Sequence, residues 1–339
     1  MKDETVLVTG ATGYIAMHCI LRLLQAGYRV RGTLRSPARE AGLRQAFARH
    51  IAADDRIAFV TADLLQEAGW AEAAEGCAYV LHTASPLPRQ IPRDESEVIK
   101  PAVEGTRRVL QAAKQAGVRR VVITSSVAAM RHDDARQKDR PVDETNWSNT
   151  AADIPVYDKS KTLAERAAWD FVAENEAFEL VTINPSVVIG PLLNDHYSLS
   201  VETILRLMRS QYPGCPRLGW VFVDVRDVAD AHLAALTTPE AAGMRFSCAH
   251  KFAWMRDLAR ILDAEFSSQG YKIPTRPLPD FLMRFLAIFD KTAAMYVPNL
   301  GRTIAYSNAQ IKRVLGWQPR PLAESVIDTG KSLIEFDVV

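Results

Sequence analysis

Hydrophobic and polar positions follow two different periods along the first half of the chain. Short β-branched and apolar runs predict strands, and several are apolar on both faces, which is typical of a parallel sheet covered by helices. Longer stretches with one apolar side predict amphipathic helices between them. The predicted strands are Thr5–Thr9, Arg29–Leu34, Ile57–Thr61, Ala78–His82, Val121–Ser125 and Leu180–Asn184, and the strongest helices are Ile15–Gln25, Val98–Ala116 and Lys159–Ala173. This alternation predicts an α/β fold with a doubly wound parallel sheet.

After Pro191 the pattern becomes less regular and the predicted elements are shorter. They are a loop over Leu192–Leu199, a helix over Val201–Arg209, a turn over Tyr212–Pro216 and a strand over Val221–Val225. We expect Asp227 to cap the helix after that strand, and mostly helical structure from Phe252 onward. The pattern predicts an α/β domain over residues 1–185 and a smaller, mostly helical lobe over residues 186–339, with some segments crossing back.

Composition excludes several classes of protein without choosing a function. The chain has 339 residues, 48% of them hydrophobic, with 41 Lys and Arg against 40 Asp and Glu. This balance gives no reason to expect nucleic acid or a membrane surface as a partner. The N-terminus leads directly into an apolar strand, without a secretory segment. The cysteines lack the paired spacing of a metal site, so we expect no metal and reduced thiols in a cytoplasmic protein. They are Cys19, Cys77, Cys215 and Cys248.

Two segments leave alternatives open. Phe281–Phe289 is the run closest to a membrane span, but it is short and contains Arg284. We expect an amphipathic helix packed on the second lobe there, with a membrane or partner contact as the alternative. Arg131–Arg140 is dense in charge. We expect a solvated loop over it, with a position beside the functional site as the alternative.

A glycine-rich segment follows the first predicted strand and opens the first predicted helix. It reads Thr9-Gly10-Ala11-Thr12-Gly13-Tyr14-Ile15-Ala16. Gly10 allows a tight turn, Gly13 lets backbone N–H groups approach a pyrophosphate, and Ala16 lets the helix pack closely on the strand. The N-terminus of a helix also favours negative charge. In this strand–turn–helix context the segment predicts dinucleotide binding rather than a plain loop.

The residues after the next strands predict which dinucleotide binds. NAD sites place an acidic residue about 20 residues beyond the glycines, but this chain has Arg35 at the end of the second strand. A guanidinium can bind a 2′-phosphate with two hydrogen bonds, so we expect NADP(H), with a merely solvated Arg35 as the alternative. Asp63 can accept a hydrogen bond from adenine. The small residues Thr83-Ala84-Ser85 would let the cofactor lie on the backbone.

Tyr157 and Lys161 form the candidate catalytic pair. Their spacing places a phenol and an ammonium one helical turn apart on the same face. A tyrosine with its usual pKa of about 10 is a poor base near neutrality, but a fixed ammonium favours tyrosinate. Tyr157 can then exchange a proton with a carbonyl oxygen during hydride transfer, and Ser125 or Ser126 can polarise that carbonyl. The same spacing is common on exposed helices, and this is the alternative.

In these motifs the chain resembles the extended short-chain dehydrogenase/reductase family, and within it the dihydroflavonol-reductase-like branch that includes aldehyde and methylglyoxal reductases. Further matching segments are Asp63-Leu64, His82–Ser85, Thr124-Ser125-Ser126, Asn184-Pro185-Ser186 and Phe222–Ala229. The resemblance implies a Rossmann-type NADP-binding domain over residues 1–185 and a substrate-binding lobe over residues 186–339. It also implies catalysis by Ser126, Tyr157 and Lys161.

The resemblance further implies the cofactor contacts, with Pro185–Val188 along the nicotinamide. The expected contacts are Gly10, Thr12, Gly13, Tyr14, Ile15, Arg35, Asp63, Leu64, Thr83, Ala84, Ser85, Thr124, Tyr157, Lys161, Pro185, Val187 and Val188. Many family members pair the helices Val98–Ala116 and Lys159–Ala173 with those of a second copy, so we expect a monomer or a homodimer.

The predicted substrate is a small carbonyl compound. The expected pocket wall is mostly apolar or aromatic, which suits an uncharged substrate. It includes Pro86, Met130, Val187, Tyr197, Ile204, Met208 and Phe222; for Ile204, Met208 and Phe222 the alternative is a place in the core of the lobe. Ala128–Arg131 stands where plant dihydroflavonol reductases carry a polar amide, which disfavours a flavonoid. Trp220 stands where sugar-nucleotide enzymes tend to carry an arginine, which disfavours a nucleotide sugar.

We therefore predict NADPH-dependent reduction of an aldehyde or ketone to the alcohol, with the proton supplied by Tyr157. Three alternatives stay open: a secondary-alcohol dehydrogenase of the hydroxysteroid type, a nucleotide-sugar epimerase or dehydratase, and a non-catalytic NADP-sensing protein. The intact pair of Tyr157 and Lys161 disfavours the sensor, because a sensor needs no proton donor.

Overall fold

A computed structural model gives the fold of residues 3–52, 55–85, 94–134, 140–289 and 291–339. The strands are β1 Thr5–Thr9, β2 Arg29–Leu34, β3 Ile57–Thr61, β4 Tyr79–His82, β5 Arg120–Thr124, β6 Glu179–Pro185, β7 Val187–Ile189, β8 Cys215–Pro216, β9 Gly219–Asp224, β10 Arg245–Cys248, β11 Lys251–Trp254 and β12 Pro277–Leu278. The helices are α1 Tyr14–Gln25, α2 Glu40–Ala48, α3 Trp70–Ala74, α4 Ser96–Gln115, α5 Val156–Asn175, α6 Glu202–Met208, α7 Val225–Thr237, α8 Met255–Phe266, α9 Asp280–Leu286, α10 Lys291–Tyr296, α11 Ala309–Leu315 and α12 Leu322–Glu335.

The predicted doubly wound parallel sheet is confirmed. Seven strands lie in the order β10-β6-β5-β4-β1-β2-β3, and every neighbouring pair is parallel. The strand order changes direction between β1 and β4, and such a switch point opens a crevice at the carboxyl ends of the strands. Thr9 of β1 lies beside His82 of β4 in the register. The residues that follow these two strands therefore meet at the crevice.

The chain divides into two compact units. The first comprises residues 1–186, 226–248 and 307–318, and the second comprises residues 187–225, 249–306 and 319–339. In the first unit, the apolar side chains of β1, β4 and β5 pack with those of α3 and α4, with Trp70 and Leu110 among the buried residues. Helices α4 and α5 lie side by side in this unit.

The second unit contains a small sheet of its own. Its strands lie in the order β11-β9-β7, and helices α6 and α8 pack together with α12. The expectation that Asp227 caps a helix is wrong, because α7 begins at Val225 and Asp227 lies within its first turn. Part of the predicted turn over Tyr212–Pro216 is the short strand β8, which pairs with β12.

The apolar segment around α9 differs from its predicted packing. Its aromatic side chains are largely exposed, with Phe281 at 73% and Phe289 at 76% of full exposure, and Met283 is the buried residue of α9. The expected amphipathic helix packed on the lobe is therefore wrong for most of these side chains. Among the described residues, no helix combines the length and the apolar character that crossing a membrane requires.

Candidate active site

The turn between β1 and α1 requires glycine for two reasons. Gly10 has a φ of +68°, a conformation that favours glycine, and a Cβ there would lie 3.0 Å from the Cβ of Ala84. The Gly10 N–H donates a hydrogen bond to Thr33 Oγ1 at 2.9 Å, and the Gly13 N–H donates to the Gly10 carbonyl at 2.8 Å. The turn is thus closely packed against the segment that follows β4.

The N-terminus of α1 faces outward from this turn. Thr12 and Gly13 are exposed, while Tyr14 and Ile15 are half-buried. Within the described residues, no side chain caps this helix N-terminus, and its first turn contains no acidic residue. A pyrophosphate is therefore compatible with the positive end of the helix. These residues fit the dinucleotide that the sequence predicts.

The segment after β4 is fastened to β1 by buried hydrogen bonds. Thr9 Oγ1 lies 2.9 Å from His82 Nδ1 and accepts a hydrogen bond from the Ala84 N–H at 3.0 Å, while Thr83 Oγ1 donates to the Thr9 carbonyl at 2.5 Å. Burial, with a smaller contribution from Lys161, lowers the pKa of His82 to about 3. His82 is therefore neutral, and its contacts show a structural role beneath the predicted cofactor surface.

The predicted adenosine side contains Arg35, Asp63 and Leu64. Arg35 directly follows β2 and is exposed, and it has no ion pair or side-chain hydrogen bond within the part of the chain that the structure describes. Asp63 Oδ1 accepts a hydrogen bond from the Leu65 N–H at 3.0 Å. Leu64 packs so closely on α4 that a Cβ at Gly105 would lie 2.9 Å from it. The arrangement leaves the Arg35 guanidinium accessible to an anion.

Ser126 and Tyr157 are brought together at the carboxyl end of β5. Tyr157 lies in the first turn of α5, is half-buried, and lies near enough to Ser126 for that side chain to act on the phenol. The Ser126 hydroxyl also accepts a hydrogen bond from the Ala128 N–H at 3.1 Å. Burial raises the pKa of Tyr157 above its usual value, and Ser126 opposes that rise. The phenol is thus protonated near neutral pH, with one serine near it.

Ser125 makes a different contact. Its side chain is buried and its hydroxyl donates to Glu165 Oε2 at 2.5 Å. Of the two serines that the sequence left as alternatives, Ser126 is the one near the phenol, and Ser125 is bound to Glu165 instead.

Lys161 lies one helical turn after Tyr157 on α5. Its Nζ donates to the Thr124 carbonyl at 3.2 Å. Burial lowers the pKa of Lys161 to about 8, and the charge of Glu165 acts in the opposite direction. The charges that shift the pKa of Tyr157 in this structure are those of Asp158 and Arg131, and the action of Lys161 on the phenol stays a prediction.

Glu165 is a residue that sequence reasoning missed. Its side chain has no exposed surface and pairs with Arg245 Nε at 2.6 Å. It also accepts hydrogen bonds from Asn184 Nδ2 at 2.7 Å and from Ser125. Glu165 and Lys161 line one cavity in the first unit, together with His82, Ala84, Ser85, Thr106 and Thr124. The signal for Glu165 in the sequence is its spacing, because it lies one helical turn beyond Lys161 on the same face of α5.

The remaining predicted contacts are scattered. Pro185 ends β6 in the first unit, whereas Val187 and Val188 open β7 in the second. Met130 has no exposed surface, and Tyr197 is 41% exposed. Pro86 lies outside the described residues.

The other predicted pocket residues are buried within the second unit. Ile204 has no exposed surface, Met208 is 2% exposed and Phe222 is 1% exposed. Met208 lies close to α12, where a Cβ at Gly330 would come within 3.2 Å of its sulfur. This burial favours a core role, and contact with a substrate stays a prediction.

Met208→Ala separates these two roles. We expect the variant to lose about 2–5 kcal/mol of unfolding free energy, because a buried methionine leaves a cavity. Thermal and denaturant unfolding of the variant beside the wild type measure this loss. An unchanged stability together with a new preference for bulkier carbonyls would instead place Met208 in the substrate pocket.

The fold and the site define the class of protein: a dinucleotide-binding α/β fold, with Ser126 shortly after β5 and with Tyr157 and Lys161 on α5. The model of the NAD dependent epimerase/dehydratase family matches residues 6–249. Cinnamoyl-CoA reductase 1 of Petunia hybrida is 36% identical over 345 aligned residues, covering 99% of this chain and 93% of that protein. Dihydroflavonol 4-reductase of Zea mays is 36% identical over 284 residues, covering 81% of this chain and 77% of that protein.

A solved structure gives the same result. The yeast methylglyoxal/isovaleraldehyde reductase Gre2, complexed with NADPH, superposes with a TM-score of 0.80 at 29% identity, covering 98% of this chain and 99% of that one. The chain therefore belongs to the NAD dependent epimerase/dehydratase family. The predicted resemblance is confirmed, as is the predicted enzyme class, an oxidoreductase.

Proposed function

We propose that this protein reduces an aldehyde or ketone to the alcohol with NADPH, and that Tyr157 supplies the proton. The single observation that carries the proposal is the grouping of three side chains at the carboxyl end of β5: Tyr157 lies near Ser126, and Lys161, one helical turn later, donates from Nζ to the Thr124 carbonyl at 3.2 Å. NADP(H) is the cofactor, in agreement with the accessible Arg35 and with the NADPH held by the yeast reductase.

The residues divide the work between binding and proton transfer. Bound NADPH supplies the hydride. Its pyrophosphate would lie on the turn of Gly10 and Gly13, and Lys161 would hold the nicotinamide ribose. Tyr157, protonated near neutral pH because burial raises its pKa, gives its proton to the substrate oxygen. Ser126 orients that oxygen with a hydrogen bond, which becomes stronger as negative charge develops on it.

A screen for NADPH consumption tests the function. We expect hydrophobic aldehydes, α-diketones or aryl ketones to be reduced, and nucleotide sugars to be left unchanged. Tightly bound nicotinamide in the purified protein, with turnover of a nucleotide sugar, would instead support the epimerase or dehydratase alternative. Oxidation of a secondary alcohol as the preferred direction at physiological cofactor ratios would support the hydroxysteroid-type alternative. NADPH binding without turnover of any carbonyl would support the sensor.

Arg35→Ala tests the cofactor preference. We expect the Michaelis constant for NADPH to rise about ten- to a hundredfold and that for NADH to change little, because one charge-assisted pair with the 2′-phosphate is lost. Steady-state kinetics with both cofactors measure this difference. Arg29→Ala is the matched control, since Arg29 is an exposed arginine at the opposite end of β2. Equal efficiency of the wild type with NADH and NADPH would contradict the assignment.

A further inference from the structure

Three polar side chains form a cluster directly beside Tyr157. Asp158, the next residue of α5, is buried, with 1% of its side chain exposed. Its carboxylate accepts hydrogen bonds from Arg131 Nε at 2.6 Å and from Arg131 Nη2 at 2.8 Å. His132 Nε2 lies 2.7 Å from the same carboxylate. The start of the charge-dense segment Arg131–Arg140 is thus beside the candidate active site, as in the alternative interpretation of that segment.

The cluster joins the two segments that carry the candidate catalytic groups. Arg131 and His132 follow the short 3-10 turn Val127–Ala129, which begins at Ser126. Asp158 lies on the helix of Tyr157. A buried carboxylate without partners is strongly destabilising, so Asp158 needs its two hydrogen bonds from Arg131. These two bonds hold the Ser126 segment against the start of α5. The closeness of Ser126 to the phenol of Tyr157 depends on this placement.

The cluster also places opposite charges next to the phenol. Asp158 acts to raise the pKa of Tyr157, and Arg131 acts to lower it. The pairing holds the pKa of Asp158 itself below its usual value, although burial opposes this. Ser126 is the other polar side chain that acts on the phenol, whereas His132 contacts Asp158 and Lys161 donates to the Thr124 carbonyl. Arg131 is also 36% exposed, so a substitution there leaves no large cavity.

We propose that Arg131, Asp158 and His132 form a positioning cluster that fixes the Ser126 segment to the helix of Tyr157 and balances the charge beside the phenol. This inference rests on the proposed role of Tyr157 as proton donor. Arg131 and Asp158 then act through Tyr157 with opposite signs. A purely structural pair would not do so, because the loss of either partner would disturb the site in the same way.

The test is the pH profile of alcohol oxidation with NADP⁺, using the alcohol product of the best carbonyl from the screen. This direction needs the tyrosinate, so the acid limb of kcat/KM follows the pKa of Tyr157. We expect Arg131→Gln to move the limb up by about one pH unit and Asp158→Asn to move it down by a similar amount, as is typical of a charge within about 6 Å. The double variant should lie between the two.

Arg131→Lys is the conservative control, because it keeps the cation but loses the two-bond geometry. We expect its acid limb to stay near that of the wild type, with a lower melting temperature. If Asp158→Asn fails to fold, the comparison of Arg131→Gln with Arg131→Lys still decides the question. The proposed role of the cluster would be overturned if the acid limbs of kcat/KM in the folded variants moved in the same direction or did not move. Wild-type turnover by Tyr157→Phe would overturn the proposed function instead, so the two failures are distinguishable.

Discussion

Tyr157→Phe is expected to lower turnover by about 10²–10⁴-fold while NADPH binding stays close to that of the wild type. The substitution keeps the ring in its half-buried place on α5 and removes only the hydroxyl, which lies near Ser126. General acid catalysis is typically worth that factor in rate. Single-turnover kinetics measure the chemical step, and quenching of tryptophan fluorescence by NADPH measures binding.

A matched control for this variant is Tyr79→Phe. Tyr79 lies at the amino end of β4, whereas the candidate site is at the carboxyl end, and its ring faces the guanidinium of Arg119. We expect the control to keep its turnover, since it loses the same atom far from the site. If Tyr157→Phe retains most of its turnover, another residue delivers the proton.

The strands of the first half were predictable because each carries its own signal. The predicted ends of β1, β2 and β3 match the structure, and those of β4, β5 and β6 differ by one residue. Buried parallel strands are continuous apolar runs, so the pattern alone locates them. The seventh strand was missed because Arg245 and Ser247 interrupt its apolar pattern. Arg245 is buried with its guanidinium paired to Glu165 and hydrogen-bonded to the carbonyls of Glu144 and Asn146, which are residues far from it in sequence.

The candidate site shows the same division between local and distant information. The members of each motif lie three or four residues apart in sequence, so their spacing alone indicates their chemistry. This holds for Gly10 with Gly13 and for Tyr157 with Lys161. The partner of Tyr157 is different, because Ser125 and Ser126 have the same chemistry and adjacent positions. Only the turn after β5 decides which hydroxyl meets the phenol. For the same reason, sequence reasoning assigned no role to Asp158, since its partners lie on another segment.

The second unit was the least predictable part. Its helices are short, and burial there does not follow from hydrophobicity. Phe281 and Phe289 are exposed, while Met208 and Phe222, which we expected in a pocket, are buried. An apolar residue predicts burial. Which residues cover it depends on how the helices and strands pack together, and the sequence pattern does not show that packing.

Ser126→Ala and Ser125→Ala are expected to have different effects, although the two residues are neighbours. Ser126 lies near the phenol of Tyr157 and is half-buried. Removing a hydroxyl that stabilises developing negative charge costs about 10²–10³ in turnover. We therefore expect Ser126→Ala to lose turnover by that factor, with a melting temperature near that of the wild type.

Ser125→Ala removes a buried donor to Glu165. The carboxylate keeps the donors Asn184 and Arg245, so we expect a loss of about 1–3 kcal/mol in unfolding free energy and a smaller loss of turnover than in Ser126→Ala. Kinetics with NADPH and thermal unfolding of both variants measure the two effects separately. A larger loss of turnover in Ser125→Ala than in Ser126→Ala would show that Ser125 is the serine that acts on the substrate.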